Sequence, residues 1–337
     1  MNIKKIIYCG FFYEYGIKEN GLSCNYLSWF KSFKSLGYNI NPVFYDQKNI
    51  KEISNLLIKK VEEFKPDIIF VIPQSYQIAK EVFSSLRSRG NKFVGLFGDD
   101  HWRYDTYSKY MASNFDVCIT TDKFSLRKYF KDGYKNIFYS QWASPPYKRN
   151  FKKLNYEYEI SFFGDISPYR KFVVDYLRKK NFKIICFGKG WPNGRISYEE
   201  VVELIRKTKI NLNISNSLSF DIRCLVSNPK SLLSLLRNKL FSTGKNSSEV
   251  KARNFEIPTF GGFQLTDYVP TLENYFDIGS EVICYSTIGD IENQLKYYLE
   301  NEEEREIIRL KGVKKARKFH SYKNRIEDII TYVESIL

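Results

Sequence analysis

The 337-residue sequence predicts an α/β protein built from two doubly wound, parallel-sheet domains. Three observations carry the prediction. Short apolar runs alternate with helical stretches along almost the whole chain, which is how strand–helix–strand units read. Runs such as 3–9 and 67–72 are apolar with little alternation, as strands covered on both faces are. The pattern then breaks at 140–156, SQWASPPYKRNFKKLNY, where two prolines and a basic cluster read as an interdomain linker, and starts again.

In the first half, strand 3–9 leads through a loop rich in glycine and aromatics to Ser23, a helix cap. Leu27, Phe30, Phe33 and Leu36 follow at helical spacing, and Gly37 closes the helix. Strand 40–45 and helix 50–64 come next, and Pro66 resets the chain for strand 67–72. Helix 76–89, strand 92–97, strand 115–121, helix 123–130 and a short strand 137–139 complete the half, with right-handed crossovers expected. The loop GDDHWR at 98–103 stands at the carboxyl end of a parallel strand, where ligands of such sheets bind. Asp99, Asp100 and His101 are its candidate catalytic residues, because a carboxylate near an imidazole can deprotonate a hydroxyl or orient the ring that does. The competing reading has Asp100 capping the following helix and its neighbours solvated.

The second half opens on strand 158–163 and the loop GDISPYR at 164–170. Ser167 is placed as a cap and Pro168 as the first helical residue. Gly164 ahead of a helix N-terminus is a ready anion site, and Arg170 is within reach of a bound phosphate. Helix 171–180 and strand 183–187 lead to a second such loop, GKGWP, with Gly188, Gly190 and Trp191; the indole can stack on a base or simply pack. Helix 198–207 and strand 210–214 follow. PKSLLSLLRNKLF at 229–241 is amphipathic, with Leu232, Leu233, Leu236 and Leu240 on one side. It reads first as a helix packed on its own domain, and alternatively as a membrane-surface helix near a lipid-linked acceptor.

A basic, polar helix over 249–256 is then expected to stop at Pro258. Gly261 and Gly262 open a strand over 263–266, and Pro270 starts another helix. Strand 281–285 and helices 288–300, 302–319 and 322–337 finish the chain. The grouping of Lys251, Arg253, Glu256, Gly261 and Gly262 suits a nucleotide: glutamate accepts both ribose hydroxyls, a basic side chain faces the diphosphate, and glycine lets backbone N–H groups reach phosphate oxygens. A helix–turn–strand corner with solvated charges accounts for the same residues.

Composition narrows the classes without choosing among them. Hydrophobic content of 43% with 27% charged residues is that of an ordinary globular protein. The net charge of +15 is spread over both halves with no basic tail, which suits anionic head groups or nucleotide donors as well as nucleic acid. The cysteines (Cys9, Cys24, Cys118, Cys186, Cys224 and Cys284) are far apart with no C-x-x-C, so neither a disulfide framework nor a zinc pattern is present. Two histidines exclude a histidine-rich metal site. The N-terminal apolar run is short and soon reaches Glu14, so it reads as a first strand rather than a signal peptide. No apolar run is long enough to span a bilayer, and a cytoplasmic location is expected.

The stretch KARNFEIPTFGGFQLTD at 251–267 resembles the signature R-x-F-E-I-P-x-x-G-G-F-x-L-T-D of CgeB-like glycosyltransferases, the spore-maturation CgeB group and its surface-glycan relatives. The likeness continues through EVICY at 281–285, YYL at 297–299, EEER at 302–305 and HSYKNR at 320–325, close over roughly the last quarter of the chain and loose elsewhere. It implies the GT-B fold: two Rossmann-like domains facing a cleft, an acceptor domain at 1–148 joined by the last helix (322–337), and a nucleotide-sugar donor domain at 156–320. It implies Glu256 on the ribose, Lys251, Arg253 and the Gly164/Arg170 loop near the diphosphate, the Gly188–Trp191 loop on the base side, and Gly261–Gly262 allowing close approach. Asp99, Asp100 and His101 would face the acceptor.

The expected activity is transfer of a sugar, a hexose, from a nucleotide-sugar donor to a glycan, lipid-linked or protein acceptor, in surface glycan biosynthesis. Peripheral contact with the inner membrane surface and no nucleic-acid partner are expected. No D-x-D occurs in the sequence, so neither a metal nor a cofactor is expected. Many retaining GT-B enzymes carry two glutamates with seven residues between them; here Ser248 stands eight before Glu256, with Glu249 beside it, which leaves retention and inversion both open. Two other classes compete: a GT-B-fold sugar-nucleotide epimerase, which two histidines supply poorly, and a non-catalytic polyanion binder supported by charge alone.

Overall fold

A computed structural model of the chain describes residues 2–151, 154–215 and 249–337. The amphipathic stretch at 229–241, Cys224 and Ser248 lie outside the described residues. The chain forms two compact units, Met1–Pro145 with Tyr322–Leu337, and Pro146–Ser321. No helix among the described residues is long and apolar enough to cross a membrane.

The first unit holds six strands: β1 (Lys5–Gly10), β2 (Asn39–Phe44), β3 (Ile68–Val71), β4 (Phe93–Phe97), β5 (Val117–Thr120) and β6 (Ile137–Tyr139). They lie in the order β2-β1-β3-β4-β5-β6, every pair parallel. One face buries Ile7, Cys9, Ile69 and Val71 under α2 (Ile50–Phe64) and α3 (Lys80–Ser88). The other buries Ile6, Tyr8, Phe70, Leu96 and Ile119 under Trp29 and the last helix of the chain, Tyr322–Ile336. That helix supplies Tyr322, Ile326, Ile329, Ile330 and Val333, so the C-terminus does return to the N-terminal unit.

Local chemistry sets the helix ends. Asn49 and Glu52 form a reciprocal capping box at the start of α2. The helix expected over 76–89 starts later, at Lys80, because the Gln77 side chain accepts from the Gln74 and Ser75 N–H groups and holds them in a turn. The stretch after Ser23 is a wide π-type turn, Tyr26–Phe30, running into α1 (Lys31–Ser35). Three short helices complete the unit: α4 (Asp100–Arg103), α5 (Lys109–Met111) and α6 (Ser125–Lys131).

The second unit holds β7 (Tyr158–Phe163), β8 (Ile184–Phe187), β9 (Thr208–Asn213), β10 (Gln264–Asp267) and β11 (Ile283–Tyr285), again all parallel, in the order β11-β10-β9-β7-β8. Its helices are α7 (Pro168–Lys179), α8 (Tyr198–Arg206), α9 (Ala252–Phe260), α10 (Ile288–Glu300) and α11 (Glu302–Phe319). Ser167 caps α7 as expected, and Ser197 and Thr287 cap α8 and α10. Pro270 starts only a single turn, Leu272–Asn274.

α9 departs most from expectation, since it begins at Ala252 and runs through Pro258 to Phe260. A proline inside a helix leaves the carbonyl four residues earlier without its N–H partner. Here that carbonyl belongs to Asn254, and the buried Gln264 side chain donates to it at 3.3 Å, which lets the helix continue.

The C-terminal end of α9 is held by three arginines. Arg317 donates to the Thr259 carbonyl (2.8 Å), Arg206 to that of Phe260 (3.3 Å) and Arg309 to that of Gly261 (3.0 Å). The same three side chains reach the carbonyls of Arg149 (2.8 Å), Asn150 (2.8 Å) and Phe151 (2.9 Å) respectively. Arg309 is 1% exposed and also pairs with Glu306 at 2.7 Å. Cations at a helix C-terminus complement its partial negative charge and satisfy carbonyls that lack intrahelical donors. Arg309→Ala leaves two carbonyls without their donor and takes the charged partner from Glu306, and the expected loss is about 3–5 kcal/mol of stability, read from denaturant unfolding.

Candidate functional site

The sheet of the second unit reverses its winding between β7 and β9, and in open α/β sheets the crevice outside the carboxyl ends of such strands is where ligands bind. The turn at Gly164 follows β7 directly, and Ser215 follows β9. α7 and α9 both begin at this edge, each with its positive dipole end turned toward it.

Gly164 has φ +151°, and a Cβ there would stand 3.1 Å from Arg253 Nη1. Behind it lies the loop after β8. Gly188 (φ +134°) packs backbone on backbone, so that a Cβ would meet the Gly164 oxygen at 2.3 Å, and a Cβ on Gly190 would meet Ile166 at 2.3 Å. Trp191 is buried, donates from Nε1 to the Gly164 carbonyl at 2.9 Å and lies edge-on to Phe162. Lys189 N–H and Arg195 both bind Asp165, at 3.0 Å each. Gly188, Gly190 and Trp191 thus support the turn from behind; the indole is engaged in packing rather than presented as a stacking platform. Arg170 is likewise spent on the frame, donating to the carbonyls of Asp165 (2.9 Å), Ile214 (3.1 Å) and Ser215 (3.2 Å). Burial lowers its pKa, opposed by the nearby Asp267 carboxylate.

Arg253 and Glu256 sit on consecutive turns of one face of α9. The Arg253 guanidinium lies over the Phe163 ring at 4.6 Å, against the Gly164 turn. Glu256 is 9% exposed and accepts from the Tyr198 hydroxyl at 3.1 Å. Burial raises its pKa; the Arg253 charge and the Tyr198 hydrogen bond pull the other way. Lys251, just ahead of the helix, pairs with the buried carboxylate of Glu249 at 2.8 Å. The turn, the guanidinium and the carboxylate therefore form one cluster, held at a dipole-positive edge.

Gly261 and Gly262 are not part of it. They lie at the opposite end of α9, about 12 Å from Arg253 along the helix axis. Their N–H groups close the helix by bonding the Pro258 and Ile257 carbonyls, so they are not open to a phosphate. Gly261 is glycine for its φ of +105°, and Gly262 for room: a Cβ there would stand 2.6 Å from both Asn211 and Ile205. The expectation of close ligand approach at this pair is replaced by a packing role.

In the first unit, the winding reverses between β1 and β3, so the 98–103 loop after β4 stands one strand away from the switch point. Asp100 is fully buried; its Oδ2 accepts from Thr120 (2.7 Å) and Tyr129 (3.0 Å), and its carbonyl from Ser125 (3.2 Å). It joins β5 and α6 to the loop from inside, and the expectation of a ligand-facing base at Asp100 is corrected accordingly. Asp99, at φ +63°, and His101 are the partly exposed members of the trio.

Sequence reasoning missed Tyr198 and Phe163, the two residues that hold Glu256 and Arg253. The capping signature S-x-x-E at 197–200 marks Tyr198 as the first residue of α8. Nothing local points it at a carboxylate 58 residues later.

Residues 170–331, just under half of the chain, match a protein family described as glycosyl transferase-like. Comparison with curated protein sequences gives no match. Among solved structures, the chain is similar to sucrose-phosphate synthase from Thermosynechococcus elongatus, with a TM-score of 0.62 and 9% identity over 99% of both chains. It is similar to Anabaena HepE in complex with UDP-glucose, with a TM-score of 0.62 and 9% identity over 99% of this chain and 100% of that one. It is also similar to S. aureus TarM, with a TM-score of 0.56 and 11% identity over 83% of this chain and 58% of that one. At these identities the likeness is one of fold, and the fold is GT-B.

Two outcomes test the geometry. Gly262→Ala should cost about 1–3 kcal/mol in denaturant unfolding by overpacking against Asn211 and Ile205. Tyr198→Phe removes a bond that favours the ionised carboxylate, so Glu256 should titrate at still higher pH, read by NMR of its side-chain carboxyl carbon.

Proposed function

We propose that the protein is a GT-B glycosyltransferase that takes a hexose from a nucleotide-sugar donor, akin to the CgeB-like group its central motif resembles. The observation that carries this reading is the cluster of Gly164, Arg253 and Glu256 at the dipole-positive edge of the second sheet. The glycosyl transferase-like match over 170–331 supports it, as does the fold shared with an Anabaena protein solved with UDP-glucose.

In this reading Glu256 accepts hydrogen bonds from the ribose hydroxyls. Arg253, with Lys251 beside it and the N-termini of α7 and α9, faces the diphosphate. Departure of the sugar leaves negative charge on that diphosphate, and fixed cations and dipoles stabilise it without reorganising. The reading needs no metal for that charge. Arg170, Gly188, Gly190 and Trp191 act by holding the Gly164 turn in place. The acceptor, a glycan or a lipid-linked or protein-borne group in surface glycan synthesis, is assigned to the first unit. There Asp99 and His101, both partly exposed, are the proposed acceptors of a hydroxyl proton. The setting we propose is the cytoplasmic face of the membrane.

The test is a thermal-shift screen against UDP-, GDP-, dTDP- and CMP-sugars, on the protein and on Glu256→Gln. A donor at a hundred times its Kd should stabilise the protein by about 2.7 kcal/mol. The shift should appear with one nucleotide family and be lost in Glu256→Gln, while the free variant melts no lower than the parent. The sign follows from the raised pKa: burial disfavours the ionised carboxylate, so at neutral pH Glu256 costs the free protein stability that glutamine restores. For the same reason the donor shift should fade on acidification from a pH above the usual carboxylate range. An undiminished shift in Glu256→Gln would overturn the site assignment.

A further inference from the structure

α6 is apolar on both sides: Tyr129 and Leu126 pack into the core of the unit, and two phenylalanines at its ends face outward. Its inner face carries Ser125 and Tyr129, both fully buried and bound to Asp122 and Asp100. Its outer face carries Phe124 and Phe130, 62% and 56% exposed. Arg127 and Lys131 are exposed beside them, and the four residues recur at i, i+3, i+6 and i+7, one side of a helix. Lys123 extends the same surface. Among the described residues no carboxylate pairs with Lys123, Arg127 or Lys131. The acids nearby are occupied elsewhere: Asp105 by Lys128, Asp132 by the Tyr104 hydroxyl, and Asp122 by the Ser125 hydroxyl and N–H. The face is thus both apolar and uncompensated in charge.

We infer that this outer face of α6 is a docking surface for an anionic lipid bilayer. Two rings interspersed with the cations Lys123, Arg127 and Lys131 match what an interface between head groups and acyl chains offers: the rings enter the boundary region while the cations meet lipid phosphates. What distinguishes this surface is the combination of two outward phenylalanines with three cations, unpaired among the described residues, on the same short segment, which suits an interface that is apolar and anionic together. The inference does not require the donor site. It deepens the proposed function in one respect, since an acceptor carried on a lipid would be met at such a surface.

The test is co-sedimentation of the full chain with vesicles of phosphatidylcholine alone and of an equal mixture of phosphatidylcholine and phosphatidylglycerol. Binding is expected to the mixed vesicles only, and to weaken with salt. Phe124→Ser with Phe130→Ser should weaken it by at least about tenfold, and Arg127→Glu with Lys131→Glu should abolish it, since both pairs are exposed and leave the fold intact. Nucleotide-sugar thermal shifts on the same variants should be unchanged, which separates failure of this inference from failure of the donor site. Absence of binding to the mixed vesicles, equal binding by either double variant, or binding to single-stranded RNA that vesicles fail to compete would overturn it.

Discussion

Three arginines holding six main-chain carbonyls fix the far end of the helix that carries Arg253 and Glu256. α9 carries the candidate donor residues near its front end, and a nine-residue helix is a poor lever unless its far end is fixed. Arg206, Arg309 and Arg317 fix it by joining the carbonyls of 259–261 to those of 149–151. Each guanidinium is a rigid fork, so one side chain can span two strands of backbone at a defined separation. The neighbouring glycines serve the same end. Gly262 lets α9 turn tightly over Asn211, and Gly312 on α11 leaves no room for a Cβ, which would meet the Glu281 carbonyl at 2.2 Å. Close backbone contact on one side and charged hydrogen bonds on the other leave α9 little freedom to slide.

At the front end the same helix holds Glu256 in a state that opposes stability. A buried carboxylate with a raised pKa is costly to ionise, and the Tyr198 hydroxyl and Arg253 offset only part of that cost. Such an arrangement suits a group whose full set of hydrogen-bond donors arrives with a ligand. The clamp and the carboxylate are therefore coupled: stability concentrated at one end of α9 lets the other keep a charge poorly solvated.

Element order and most helix starts were legible in the sequence, because alternation, caps and glycine stops are local signals. Ser167 caps α7 where its place ahead of Pro168 implies. The parts that were not legible depend on partners far along the chain. Gly261 and Gly262 look like a phosphate loop until Asn211 and Ile205 are seen filling the space beside them. Asp100 looks like an active-site acid until Thr120 and Tyr129 are seen bonding it inside the unit. α9 crosses its own proline only because Gln264 supplies the missing donor. Trp191 and Arg170 follow neighbouring strands at the carboxyl edge of the sheet, as expected, but their polar atoms turn to main-chain carbonyls. Residue type and loop position nominate candidate residues; the direction of each side chain is set by packing.

Asp100 also explains half of α6. A buried carboxylate needs hydrogen-bond donors: Thr120 and Tyr129 provide them for Asp100, and the Ser125 hydroxyl and N–H for Asp122, which places two hydroxyls on the inner face of the helix. That requirement accounts for polar residues inside but places no demand on the outside. Lysine, glutamate or serine at 124 and 130 would leave the Asp100 network untouched, and would avoid exposing two rings to water. Internal stability therefore supplies no reason for Phe124 and Phe130. What holds them outward has to be sought in something the helix meets, and the cations around them, Lys123, Arg127 and Lys131, specify its charge.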